Sequence, residues 1–350
     1  AGTSFIIPDV HIKRGPARAR IRTDSTITAA LSLLDEEPFR FMTKAGMPVT
    51  LADGRAQVAG RLDFLLKPDL QPDEVAFDVA GTLRDVRSET LVEGRVLAAP
   101  ELTLRAANDG LSIEGEGRIG RVPVTALWSS ALGPEGGGES HLTGDIELSE
   151  RFADEFGIGL PPGSLSGVGR ADIDITLQRG APGAFELRSD LAGVGLALPA
   201  LGWSFAQGAR GNLEVTGQLG QPPRIDRIAL DAGGLQAQGD VVLNADGTLE
   251  RARFNRVRLQ EWFSAPVELV GRGAARVPQI LVSGGTLDLR KSSFGPRAGG
   301  GGGGSSSDSA QRAGPVSLVL DRLQISDGIA LTGFRADFDM SKGTSGSFTG

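Results

Sequence analysis

The sequence has no cysteine, no tyrosine and only two histidines in 350 residues. The first absence removes disulfide frameworks, thiolate metal sites and cysteine nucleophiles together. It leaves the compartment open, because a periplasmic protein can do without disulfides. The histidines, His11 and His141, stand far apart and in no ligand-like spacing. A Ser-His-Asp hydrolase would need one of them. His141 lies in "GGGESHLTGD", a turn entering a strand, where a solvated surface side chain accounts for it. Long apolar runs are also missing: none approaches the ~20 residues of a transmembrane helix. No signal peptide is visible. The chain begins "AGTSFIIPDV" without Met and ends "SGSFTG" in strand-like sequence, so it reads as an excised segment. Any targeting or anchoring element is expected outside it. There is no excess of positive charge either. The net charge is −7, and the basic residues are scattered except in "HIKRGPARARIR" at 11–22. A nucleic-acid surface asks for a basic face interleaved with stacking aromatics, so no nucleic-acid partner is expected. The basic stretch suits an anionic membrane surface, or simply a solvated strand face.

What is present is short, alternating and rich in glycine, with 51 Gly and 40% apolar residues. In "GRADIDITLQRG" (169–180), Ala171, Ile173, Ile175 and Leu177 fall on one side of an extended chain, and Asp172, Asp174, Thr176 and Gln178 on the other. That is the period of a half-buried strand. Similar runs fill most of the chain. "LTLRA" (102–106) and "LSIEGEGRI" (111–119) flank the tight-turn signal "ANDG", and "VPVTALW", "VGLALP", "NLEVTGQL", "TLDLR" and "ALTGFRADF" follow. The pattern predicts an all-β, mainly antiparallel meander. Two stretches break it, "EEPFRFMTKAG" (36–46) and "SERFADEFGIG" (149–159), and both read as short helices. In the second, Ser149 caps, Phe152 and Phe156 share a face, and Gly157 stops the helix. The breaks belong to a repeated module of about 115 residues, in which Gly54-Arg55-Ala56 corresponds to Gly169-Arg170-Ala171. The divisions predicted are N-terminal strands at 1–35, a first β module at 36–148, a second at 149–296, a flexible Gly/Ser-rich insertion at 297–314 and the start of a further strand set at 315–350. The insertion has the composition of a coil reaching about 20–25 Å.

Chemistry is hard to place on this pattern. Asp172 and Asp174 share a strand face about 7 Å apart, but no convergent ligands accompany them. The same polar-out habit recurs in "SIEGEG" and "DIELSE", so a solvated face explains the pair. "ADGT" and "NDGL" lack the other positions of a calcium loop. The glycine clusters lack the lysine and helix entry of a phosphate loop. No catalytic residue, metal site or cofactor is expected.

The apolar side is then the informative one. A sheet with one apolar face must cover it with a second sheet, with helices or with a ligand. Two short helices cannot cover this many strands. Inward positions are mainly aliphatic, and glycines recur inside strands, where they permit bends. An elongated, curved sheet with a hydrophobic groove for acyl chains follows. The lining assigned to it is Leu102, Leu104, Leu111, Ile113, Ile173, Ile175, Leu177, Val194, Leu196, Leu198, Leu213, Val215, Leu287 and Leu289. A closed sandwich of structural or adhesive character is the alternative.

The phrases "SERFADEFGIGLPPGSLSGVGRADIDITL", "DLAGVGLALPALGWS", "RVPQILVSGGTLDLR" and "LTGFRADFD" resemble the AsmA-like proteins of Gram-negative envelopes, especially the YhdP branch. The resemblance covers most of residues 36–350 and brings no catalytic signature. It implies a periplasmic protein anchored in the inner membrane by a segment not present here. It also implies a long β-groove carrying phospholipids toward the outer membrane. The implied partners are phospholipid acyl chains and, at the ends, membrane surfaces or membrane proteins.

Overall fold

A computed structural model describes residues 2–37, 40–68, 70–71, 74–132, 138–160, 163–198, 203–273, 276–291, 314–339 and 345–349. The protein is all-β, with three short helices among the described residues, and its strands pair mostly antiparallel. Two compact units divide the chain, residues 1–146 with 173–181, and residues 147–172 with 182–350.

The first unit opens with β1 (Gly2–Ile6), β2 (Pro16–Thr26), helix α1 (Ile27–Leu34) and helix α2 (Phe41–Ala45). A meander follows: β3 (Asp53–Leu65), β4 (Ala76–Val92), β5 (Arg95–Ala107), β6 (Gly110–Ile119), β7 (Val122–Ala131) and β8 (Glu139–Ser149). Helix α3 (Glu150–Glu155) and strand β9 (Leu165–Gln178) come next; β9 gives its first half to the second unit and its second half to the first. The turn signal "ANDG" is a two-residue hairpin, with Ala107 paired to Gly110. Asn108 ties it to β4 by accepting from Phe77 N and donating to Val75 O, both at 2.8 Å.

The second unit holds β10 (Ala184–Ser189), β11 (Val194–Leu198), β12 (Trp203–Phe205), β13 (Asn212–Gln218), β14 (Arg224–Ala232), β15 (Leu235–Leu243), β16 (Leu249–Leu259) and β17 (Phe263–Val270). It ends with β18 (Gln279–Ser283), β19 (Thr286–Asp288), β20 (Val316–Ser326), β21 (Ile329–Asp339) and β22 (Ser345–Thr349). Strand β20 runs parallel to β18 and β19. Parallel neighbours need a long crossover, and the chain between β19 and β20 supplies one. The predicted Gly/Ser insertion falls in that connection; apart from Gly314 it lies outside the described residues.

The helices require one correction. The stretch assigned to N-terminal strands contains α1, so the described residues hold three helices rather than two. Thr26 caps α1 by accepting from Ala29 N at 3.1 Å. Ile27, Ala30 and Leu31, at helical spacing, pack on the sheet against Ala56, Leu83 and Ala99. The apolar run "ITAALSLL" is too short and too uniformly apolar for periodicity alone to separate helix from strand. The other two helices sit where the breaks were read, and they end alike. Gly46 (φ 71) donates to Thr43 O and Met47 to Met42 O; Gly157 (φ 67) donates to Asp154 O and Ile158 to Ala153 O. Both are Schellman caps, in which a left-handed glycine lets two helix carbonyls be satisfied. The repeat seen in the sequence is thus a repeated fold element. The equivalent Ala56 and Ala171 are 2% and 1% exposed.

Candidate functional site: an open apolar face

Side chains directly opposite each other in a β-ladder share a face, so the register traces each face across strands. In the first unit, Val58, Gly81, Leu104, Ile113, Trp128 and Leu142 form one row from β3 to β8. Adjacent rows carry Ala56, Leu83 and Leu102, and Gly60, Val79, Ala106 and Leu111. The four lining residues assigned here, Leu102, Leu104, Leu111 and Ile113, therefore lie on one face. Alternate positions form the other face, where Arg84 meets Glu101 at 3.1 Å and Arg55 meets Asp24 at 2.9 Å. The bond from Arg55 holds the Asp24 carboxyl below its ordinary value.

The two faces differ in polarity, but the apolar one is not sealed. Val58, Leu104, Leu111, Ile113, Trp128 and Leu142 are half-buried. The fully buried apolar residues Ala56, Leu83 and Ala99 belong to the cluster that α1 covers. In β9, Asp172 and Asp174 are exposed, while Ile173, Ile175 and Leu177 are half-buried on the opposite side. Thr176 Oγ1 stands 3.4 Å from His141 Nδ1, and His141 Nε2 lies 2.8 Å from Glu139. This hydroxyl–imidazole–carboxylate string was not legible in the sequence. It lies on the solvated face, with His141 and Glu139 about half exposed at 49% and 48%. Among the described residues no three metal-ligating side chains converge.

The second unit repeats the arrangement. Leu187, Val215, Ile228, Gly239, Phe254, Val267 and Val282 follow one another across β10 to β18. Leu213 opens the neighbouring row with Leu230, Ala237, Val257 and Ala265. Leu213 and Val215 are half-buried members of this face. Leu287 faces Phe263 and Leu323, and with Leu289 it packs on a closed cluster around Leu320, which is 0% exposed. Beside it Arg290 bridges Asp288 at 2.7 Å and Asp327 at 2.6 Å. Its bond holds the Asp288 carboxyl below the usual range.

Val194, Leu196 and Leu198 are placed differently from the expectation. Strand β11 pairs with β12 and with the start of β9, a small three-stranded sheet separate from the ladder of Leu213 and Val215. Val194 is 1% exposed, so it is core rather than lining, whereas Leu196 and Leu198 are half-buried. Trp203 and Phe205, 6% and 4% exposed, anchor this flap; Trp203 Nε1 donates to Gly233 O at 3.0 Å. Local alternation could not reveal this, because period two says which residues share a side of one strand and not which strand lies next to it.

In-strand glycines fall on the apolar rows. A Cβ at Gly60 would stand 2.7 Å from Val79 Cγ2, and one at Gly81 2.9 Å from Val58 Cγ2. Each glycine leaves room for the valine of the neighbouring strand to lean across it. Strand bulges, as between Ala98 and Glu101 or Thr216 and Gly217, bend the ladder locally. No helix among the described residues is long and apolar enough to cross a membrane. No family model, curated protein or solved structure matches the chain.

Proposed function

We propose that this chain is a segment of a periplasmic, bridge-like protein that conducts phospholipids between the inner and outer membranes, its acyl chains lying along the apolar β-face. The observation that carries the reading is one apolar row, Val58, Gly81, Leu104, Ile113, Trp128 and Leu142, that crosses β3 to β8; Val58 and Leu104 pack on the α1 cluster, and Ile113, Trp128 and Leu142 stay half-buried outside it. Apolar surface of this extent is ordinarily covered. An acyl chain is a suitable cover because it needs no specific polar partner, which fits a lining without a cluster of chemical groups. The magnitude favours a track over free diffusion. Exposing one CH₂ to water costs about 0.8 kcal/mol, so two long acyl chains cost more than about 20 kcal/mol. The resemblance to AsmA-like proteins supports the same reading, including the periplasmic location and an inner-membrane anchor outside this sequence.

Native mass spectrometry of the purified chain tests it. Phospholipid should co-purify, and Ile113→Asp, which puts a charge in the middle of the row, should lose it while the chain stays folded. A chain that carries no lipid, or a variant that retains it undiminished, would overturn the assignment. The second reading, a structural or adhesive protein with closed packing, draws on the sealed cluster around Leu320. It predicts a lipid-free chain.

A further inference from the structure

We propose that the hairpin joining β1 to β2, with the adjoining start of the β3–β4 connection, is a docking tip for an anionic phospholipid surface. The inference is independent of whether the apolar face conducts lipid. Large apolar side chains crowd this end of the first unit in full view of solvent. Ile6, Ile7, Val10 and Ile12 are 42%, 38%, 76% and 54% exposed, and Leu65 and Leu66 are 51% and 37% exposed. The two connections are held side by side, since Pro16 pairs with Leu65 and Leu66 N donates to Gly15 O at 3.0 Å. Phe5 packs edge-on against Phe64 at 5.7 Å, which fixes β1 to the same end. A contiguous exposed aliphatic patch of this kind marks an interaction site.

Charge selects the partner. The chain as a whole carries −7, yet residues 11–22 hold Lys13, Arg14, Arg18, Arg20 and Arg22 with no acid among them. Within the 6–15 connection the one acid, Asp9, accepts from His11 N at 2.8 Å and is outnumbered by Lys13 and Arg14. The β3–β4 connection adds Asp69, Asp73 and Glu74 against Lys67, which pairs with Glu74, while Asp63 is shared by Arg18 and Arg61. Among the described residues, the cations of 11–22 without an ion-pair partner are therefore Lys13, Arg14, Arg20 and Arg22. The tip thus sets cations beside exposed aliphatic side chains, the combination that an anionic bilayer attracts. Aliphatic side chains can enter the acyl boundary while Lys13 and Arg14 remain at the phosphate level.

The test is flotation of the full chain with vesicles of phosphatidylcholine, alone and with a minority of phosphatidylglycerol. The wild-type chain should float with the phosphatidylglycerol vesicles and lose binding at high salt. Val10→Asp with Ile12→Asp, and separately Lys13→Glu with Arg14→Glu, should each lower partitioning by about tenfold or more, because each cation near such a surface is worth roughly fivefold. All four positions are exposed, so the melting curves of both variants should overlay the wild type. Ile113→Asp, remote from the tip in sequence and on the sheet face, should float normally; this separates failure of the tip from failure of the lipid track. Three results would each overturn the proposal. They are a wild-type chain that stays out of the phosphatidylglycerol vesicles, as it would if the tip served a protein, equal flotation with both vesicle types, and undiminished flotation of both variants.

Discussion

Asp172 and Asp174 illustrate how little a residue's chemistry says without its surroundings. Both are exposed on a strand whose other side is aliphatic, and no third ligand approaches. Changing both to Asn should shift stability by less than about 0.5 kcal/mol and leave lipid co-purification intact, as checked by urea melts and mass spectrometry. Ser189 is the opposite case, ordinary in the sequence and structurally demanding in the fold. It is 6% exposed, donates to Arg170 O at 2.5 Å and accepts from Leu191 N at 3.0 Å. It thereby holds Leu191, 2% exposed, at a left-handed φ of 57°. Ser88, 3% exposed, makes a similar pair of bonds in the first unit, donating to Leu51 O at 2.6 Å and accepting from Leu91 N at 3.1 Å. Ser189→Ala leaves a part-buried carbonyl and a buried amide without this partner, so the urea midpoint should fall by an amount equivalent to about 1–3 kcal/mol.

At the scale of elements, the start of α3 couples a helix cap to pH. Ser149 accepts from Phe152 N at 3.4 Å and donates to Glu147 at 2.5 Å, and Arg151 grips the same carboxylate at 2.6 Å. Burial pushes the Glu147 carboxyl up, but the bonds from Arg151 and Ser149 outweigh it and the net direction is down. A carboxyl depressed in the folded state stabilises the fold above its unfolded value, about 4.3 for Glu. That contribution is lost as pH falls through the lower folded value. Urea midpoints measured across the acid range should therefore drop as pH falls below about 4.3, and the drop should be smaller in Arg151→Met. An equal drop in the variant would count against this linkage. The helix itself was readable because its cap, its Phe152–Phe156 pair at 4.8 Å and its terminal glycine agree. Helix α1 has a cap but no terminal glycine, and was not.

Within each unit the apolar rows can be sealed or open: in the second they close around Leu320, and in the first Ile113 stays half-buried. That contrast predicts different outcomes for one kind of substitution. Leu320 is 0% exposed within a closed cluster, so Leu320→Asp buries an unpaired charge and should unfold its unit, at a cost of several kcal/mol. Ile113 is half-buried on an open face, so the carboxylate of Ile113→Asp can reach water and the fold should persist. Circular dichroism melts of the two variants make the comparison. Equal unfolding by both would mean that the face around Ile113 is as dry as a core.

Alternation and turn chemistry are local, so the sequence by itself determined the β class, the sidedness of each strand, the helix at α3 with its caps, and the repeat that links Ala56 to Ala171. It also placed Leu102, Leu104, Leu111 and Ile113 on one side, because period two transmits sidedness along a strand and a two-residue hairpin carries it to the next. Register and neighbours are not local. They depend on which strands meet, and only the tertiary structure decided that Val58, Trp128 and Leu142 extend the row of Leu104 and Ile113. The same reason explains why Val194, with an alternation as regular as that of Leu213, is buried in a separate flap. Coverage is likewise tertiary: α1 seals part of one face and leaves the rest half-buried, a difference that depends on where a helix docks rather than on the strands beneath it.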